Sequence, residues 1–206
     1  MSNPWRFYHV LSHARGTLPE AAGGVTDPWV ETIFSPRPDH PTMPGADTDL
    51  SDLRTVADYQ FGGGAGTALF PAGEPLSIKR SRSGRPRQVT AGAGRIVSFT
   101  SEGRFTLGIE GGRRLHREMP DAYRIAVNAE SEPYVREGRN AFAKFVRGVD
   151  PAVRPGDEVR VTSEGGELLA VGRAELTATA ALAFETGMAV SVRDGAGGEA
   201  GGRPER

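Results

Sequence analysis

The sequence predicts an α+β protein of two small units, the second a small closed or half-open β barrel. Three observations lead there. The chain has 206 residues, 37% of them apolar, with 28 glycines and 15 prolines, a composition of strands and loops rather than of a helical bundle. Strand-like runs are short, and turn dipeptides such as Ser83-Gly84 and Glu102-Gly103 separate them, so neighbouring runs pair as hairpins. A linker-like Pro120-Asp121 divides the patterned part into residues 49–119 and 120–195.

Residues 1–48 carry seven prolines and no sustained period, too little to offset their own ordering entropy. Met43 opens an ordinary start, so residues 1–42 are expected to be a leader, a disordered arm or the product of a misplaced start codon. Next comes a helix capped by Asp49 or Ser51, with Leu53, Val56, Ala57 and Phe61 at helical spacing. GGGAG (62–66) ends or interrupts it. Three strand-like runs follow, LSIKRSR, QVTAGAGRIVSFT and RFTLGIE, and Arg113 to Met119 close the unit.

The second unit reads β-α-β-β-β-α-β. YRIAVNA is a strand. SEPYVREG is a helix with a serine cap, proline in its first turn and Gly138 beyond its end. NAFAKFV, the run after RPGDEV and the run LLAVGRA are strands, TATAALAFETG is a threonine-capped helix, and MAVSVRDG is the last strand. Strands on short connections favour a small barrel. The tail 196–206 is glycine-rich and expected to be flexible.

Several chemistries find no support. Without cysteine there is no disulfide, thiolate zinc site or cysteine nucleophile, which suits a cytoplasmic protein. The N-terminus lacks a secretory signal, and no apolar run reaches membrane-spanning length. GGGAG is not a phosphate loop, for it follows a helix and no P-loop lysine comes after it. The four histidines show no ligand spacing, and no serine sits in a GxSxG elbow, so no metal, cofactor or catalytic residue is assigned.

The positive signal is electrostatic. Net charge is -1, yet IKRSRSGRPR (78–87) holds Lys79, Arg80, Arg82, Arg85 and Arg87 with no acid before Glu102. On a hairpin with Gly84 at its tip, alternation puts Arg80 and Arg82 on one face and Lys79 on the other. A one-sign cluster in a neutral chain points to an anion-binding patch. All cations but Lys79 and Lys144 are arginine; a GC-rich genome or a salt-adapted proteome gives the same bias, so composition alone does not choose. The second locus is VREGRNAFAKFV (135–146). Its helix-to-strand turn lets backbone approach a ligand at Gly138, beside Arg136, Arg139 and Asn140. Alternation then puts Asn140, Phe142 and Lys144 on one face, with Ala141, Ala143 and Phe145 on the other.

VREGRNAFAKFV, the RPGDEV turn, and LLAVGRA followed by FETGMAVSVRDG, in that order over Tyr123 to Gly195, resemble the PUA domain, an RNA-binding module. ADYQFGGGAGTALF and IKRSRSGRPRQV resemble the domain that precedes PUA in archaeal tRNA-guanine transglycosylases and archaeosine synthases. The resemblance implies a pseudo-barrel with two short helices that binds structured RNA, typically a tRNA acceptor stem, through Arg136, Gly138, Arg139, Asn140 and Lys144, and more weakly Arg193. Family enzymes carry a catalytic barrel and a cysteine-containing zinc site ahead of these domains; here no cysteine occurs, so no catalytic role carries over. The expectation is therefore an RNA-binding accessory to a separately encoded tRNA-modifying enzyme. Two competitors remain: an RNA-modifying enzyme in its own right, and a protein-interaction adaptor, favoured by near-neutral charge and by Glu132, Glu137 and Asp157 near the turn.

Overall fold

The computed structural model describes residues 46–197, with side chains from Leu50 onward. The expectations for residues 1–42, and for the tail beyond Gly197, lie outside the described residues. Helix α1 spans Ala46–Phe61 and buries Leu53, Ala57 and Phe61, one residue per turn on one stripe. It begins before both expected caps, so Asp49 and Ser51 lie within the helix. GGGAG is an interruption: Gly62 N still bonds Asp58 O at 3.0 Å, and helix α2 (Ala65–Leu69) follows, with Asp58 Oδ1 accepting Gly66 N at 2.7 Å.

Four antiparallel strands come next in sequence order: β1 (Ser77–Arg80), β2 (Pro86–Ala91), β3 (Gly94–Phe99) and β4 (Phe105–Leu107). The run QVTAGAGRIVSFT is thus two strands joined at Gly92-Ala93, not one. Cross-strand register makes Ile78, Val89, Val97 and Leu107 one row and Lys79, Gln88, Ser98 and Thr106 the neighbouring row. Val89, Val97 and Leu107 are buried, so the second row faces outward. Helix α3 (Ile109–Glu118) crosses behind β3 and takes up the end of the run RFTLGIE.

The second sheet has six strands in the order β6-β10-β9-β8-β5-β7. In the chain they are β5 (Arg124–Val127), helix α4 (Glu132–Arg136), β6 (Ala141–Phe142), β7 (Val146–Val149), β8 (Glu158–Ser163), β9 (Leu168–Ala174), helix α5 (Ala178–Ala183) and β10 (Met188–Gly195). β5 and β8 are parallel; the other pairs are antiparallel. The sheet curls around Val127, Val135, Val159, Val161, Leu169 and Val190, and α5 packs between β7 and the segment joining it to β6, which nearly closes the barrel. NAFAKFV is not one strand: after Phe142 the chain makes a 3₁₀ turn, Ala143–Phe145, before β7. Thr177 caps α5 as expected, accepting Ala180 N. Ser131 does not cap α4; its hydroxyl donates to Asn128 O at 3.2 Å.

Each sheet has its own core, and the two meet at β9. Val171 of β9 is buried in the first unit's cluster, where Gly112 of α3 leaves room for it: a Cβ there would sit 2.4 Å from Val171 Cγ1. Phe61 meets Tyr123 edge-on at 5.9 Å. Arg160, 1% exposed, donates to the carbonyls of Met119 and Ala122 and so anchors the linker. Desolvation, then repulsion from Arg124, lowers its pKa to about 10. Each large apolar side chain buried here contributes about 1.5–3 kcal/mol, against about 1 kcal/mol or less for a surface ion pair. Apolar packing therefore holds the units together, and polar contacts align them.

Candidate nucleic-acid interface

At the β1–β2 hairpin, the turn closes through Ser81 N to Arg85 O at 2.8 Å and Gly84 N to Ser81 O at 3.0 Å. The pairing slips between Lys79 and Arg80, and Arg82 lies in the turn. Arg80 and Arg82 therefore do not share a strand face as alternation predicts. Arg80 Nη1 instead donates to Gly84 O at 2.9 Å and braces the turn. Lys79, Arg85 and Arg87, with the hydroxyls of Ser81, Ser98 and Thr100, line an open groove of about 750 Å³, at whose rim the Glu102 carboxylate accepts the Ser101 hydroxyl at 2.7 Å. Lys79, Arg82, Arg85 and Arg87 are exposed, and none forms an ion pair with a described residue.

The corner after α4 is built differently. Gly138 has φ +91°, the left-handed conformation that glycine adopts without strain, and its N–H bonds Val135 O at 2.9 Å. Arg139 follows with N–H to Tyr134 O at 2.9 Å, and its side chain is exposed with no ion-pair partner among the described residues. Asn140 Oδ1 accepts Val192 N of β10 at 3.0 Å, which fixes the turn to the last strand. Lys144 is exposed on the 3₁₀ turn, its Nζ 4.4 Å from the centre of the Phe145 ring. Ala141 and Ala143 are buried, while Phe142 is 45% and Tyr134 58% exposed, so the two faces expected from alternation stay apart through Lys144 despite the broken strand, and the alanine face is the inner one.

Two arginines of the corner are already engaged. Arg136 donates two parallel hydrogen bonds to the Glu167 carboxylate, 2.8 Å on each side, which raises the guanidinium pKa and lowers that of the carboxyl. Arg193 grips Glu158 at 2.6 and 2.9 Å, and Glu158, 5% exposed, also accepts Leu107 N of β4 at 2.9 Å. Glu158 thus joins the two sheets, and Arg193 holds it in place. Arg95, in the same acid-free run as the hairpin, bonds Asp194 of β10 and donates to Ser98 Oγ at 3.2 Å. Among the described residues there is no cluster suited to a metal ion and no helix long and apolar enough to cross a membrane.

The sequence model for the patch-forming domain C2 of tRNA-guanine transglycosylase matches residues 51–121, and that for the PUA domain matches residues 123–196. The chain carries a PUA domain. The tRNA-guanine(15) transglycosylase of Pyrococcus furiosus is 43% identical over 145 residues, 69% of this chain and 24% of the relative. That of Thermococcus kodakarensis is 45% identical over 145 residues, again 69% and 24%. The chain therefore spans about a quarter of the length of these relatives. A conserved PUA domain protein from Thermoplasma acidophilum shares the fold, with TM-score 0.54 and 22% identity over 74% of this chain and 91% of that one.

Sequence reasoning missed the partners of the PUA corner. Glu167, Glu158, Asp194 and Arg95 each touch a residue that the sequence singles out or its neighbour, but at separations of 31, 35 and 99 residues along the chain. Arg95 carried a usable signal, since it lies in the acid-free stretch that continues from the C2 hairpin.

Proposed function

We propose that this chain binds structured RNA, tRNA above all, across the C2 hairpin groove and the PUA corner, and acts as accessory to a separately encoded tRNA-modifying enzyme rather than as a catalyst. The observation that carries this reading is the groove of Lys79, Arg85 and Arg87, lined by hydroxyls, with no ion pair to these three cations among the described residues. Guanidinium groups and hydroxyls are the usual partners of phosphate and ribose, and an A-form stem is recognised through its backbone and shape. Arg82 projects from the hairpin tip, while Arg139, Asn140 and Lys144 present donors at the corner. Such a role places the protein in the cytoplasm. Its test is a salt-dependent tRNA gel shift: Arg82→Glu and Arg139→Glu should each weaken binding, and wild-type binding by both variants would overturn the two-locus reading.

A protein-interaction adaptor is the second reading. It is favoured by the neutralised Arg136 and Arg193 and by the exposed Tyr59, Leu182 and Phe184. Capture of partners from lysate with and without ribonuclease separates the two: loss of capture after ribonuclease supports RNA binding, and its persistence supports the adaptor.

A further inference from the structure

β10 is irregular at Arg193. Its pairing runs from Val192 opposite Gly172 to Asp194 opposite Val171, so Arg193 is an extra residue in a bulge. Bulges redirect the side chains around them. Four consecutive residues here reach four different elements. Val192 N–H holds Asn140 of the corner, Arg193 holds Glu158 and through it Leu107 N, and Asp194 holds Arg95 of β3. Gly195 packs under the end of α4 so closely that a Cβ would lie 2.1 Å from Arg136 O and 2.6 Å from Gly138 N. Arg95 in turn bonds Ser98, a residue of the groove wall. A continuous polar path therefore runs from the groove to the corner through the end of β10.

Resting on the RNA-binding reading above, we propose that Arg193, Asp194 and Arg95 are positioning residues: the bulged end of β10 sets the spacing and orientation of the two loci, so that one RNA molecule engages both. A ligand held at two sites gains affinity only when their spacing matches its own, and a folded RNA stem cannot stretch to absorb an error. The sign of one substitution decides the matter. Asp194 is a carboxylate between two cationic loci, so simple electrostatics has its removal strengthen the binding of a polyanion. A positioning role has the opposite sign.

The experiment titrates the full chain with tRNA, and with a ten-nucleotide uridine oligomer, a flexible single strand that holds no two contacts at a fixed spacing. Asp194→Asn should weaken tRNA binding about tenfold, a partial loss of what simultaneous engagement contributes, and leave the oligomer bound as well as before or better. Asp194→Glu, which keeps the carboxylate, should bind tRNA like the wild type. The exchange pair, Arg95→Asp with Asp194→Arg, should recover most of the loss. Unimpaired tRNA binding by Asp194→Asn, or equal loss for tRNA and oligomer, sinks the inference alone. If the exchange pair melts like the wild type yet stays as weak as Asp194→Asn, the inference also falls. Failure of the wild-type chain to bind tRNA removes the RNA-binding reading, and this inference with it.

Discussion

The C2 hairpin and the PUA corner are both arginine-bearing turns on glycine, yet they hold their charge in opposite ways. At the hairpin, Lys79, Arg82, Arg85 and Arg87 stand exposed without carboxylate partners, and the groove they border is open. At the corner, Arg136 and Arg193 are held by Glu167 and Glu158, and Asn140 is tied to β10, which leaves Arg139 and Lys144 as the exposed cations. The first region is a source of electrostatic field. The second is a shaped surface whose charge is largely spent on its own geometry. A basic count taken from sequence finds five cations at the hairpin and four at the corner, a difference of degree, whereas the structure separates the region that attracts an anion from the region that orients it.

The largest effect that should sharpen this contrast is charge reversal in the groove. Arg85→Glu with Arg87→Glu should lower tRNA affinity about 100-fold at physiological salt and flatten the log-log salt dependence by about two units, roughly one per phosphate contact. Reversal of Arg136 should do far less, because its charge already faces Glu167. Comparable losses from both, measured over a salt series, would break the distinction.

The next effect is on stability and compares glycines. At Gly84, φ +79° with open space around the site, alanine should cost about 1 kcal/mol, the strain of a left-handed backbone. At Gly195 the neighbouring atoms are backbone and cannot rotate away. Alanine there should cost about 2–3 kcal/mol, the range of overpacked interiors, and lower the melting temperature by several degrees more than the Gly84 variant. Equal melting temperatures would show that the corner yields as easily as the hairpin tip.

A third test addresses the joint between the regions. His116 of α3 is half-buried, and its pKa is depressed by desolvation first, then by the cations Arg160 of β8 and Arg124 of β5; the Gly166 backbone partly opposes this. The folded state resists a proton that the unfolded chain accepts near 6.5, so stability should fall as pH drops below that value. His116→Asn should remove this part of the slope in melts between pH 7.5 and 5. An unchanged slope would assign the acid sensitivity to other groups.

Much of the fold was readable in advance because its signals are local. The apolar stripe of Leu53, Ala57 and Phe61, the Ser83-Gly84 turn and the Thr177 cap each act within a few residues, and the PUA resemblance rests on contiguous runs. The errors also have physical reasons. Gly92-Ala93 turns the chain without any polar turn residue, so β2 and β3 read as one run. The 3₁₀ turn at Ala143–Phe145 follows a bond from Ala143 N to Gly187 O, a partner far along the chain. Bulges and ion pairs depend on which strand lies opposite. Hence the exposed arginines of the hairpin were legible, but the engagement of Arg136 by Glu167 and of Arg193 by Glu158 was not.

The smallest effect separates charge that is spent from charge that is merely masked. The Arg136–Glu167 pair sits at the surface, with side chains 34% and 63% exposed, so breaking it should leave the melting temperature within experimental error. Glu167→Gln should nevertheless raise tRNA affinity about two- to threefold, since it removes one carboxylate and frees the Arg136 fork beside the corner. The gain should be lost in Arg136→Lys with Glu167→Gln, which keeps the net charge of Glu167→Gln but has no guanidinium fork, if it comes through the arginine, and persist if it comes from net charge alone. Glu167 reaches no residue of the C2 domain by hydrogen bond among the described residues, unlike Asp194, so the two carboxylates should act with opposite sign on the same surface. Tighter binding after removal of Asp194 as well as of Glu167 would reduce the corner to simple electrostatics and erase its difference from the hairpin.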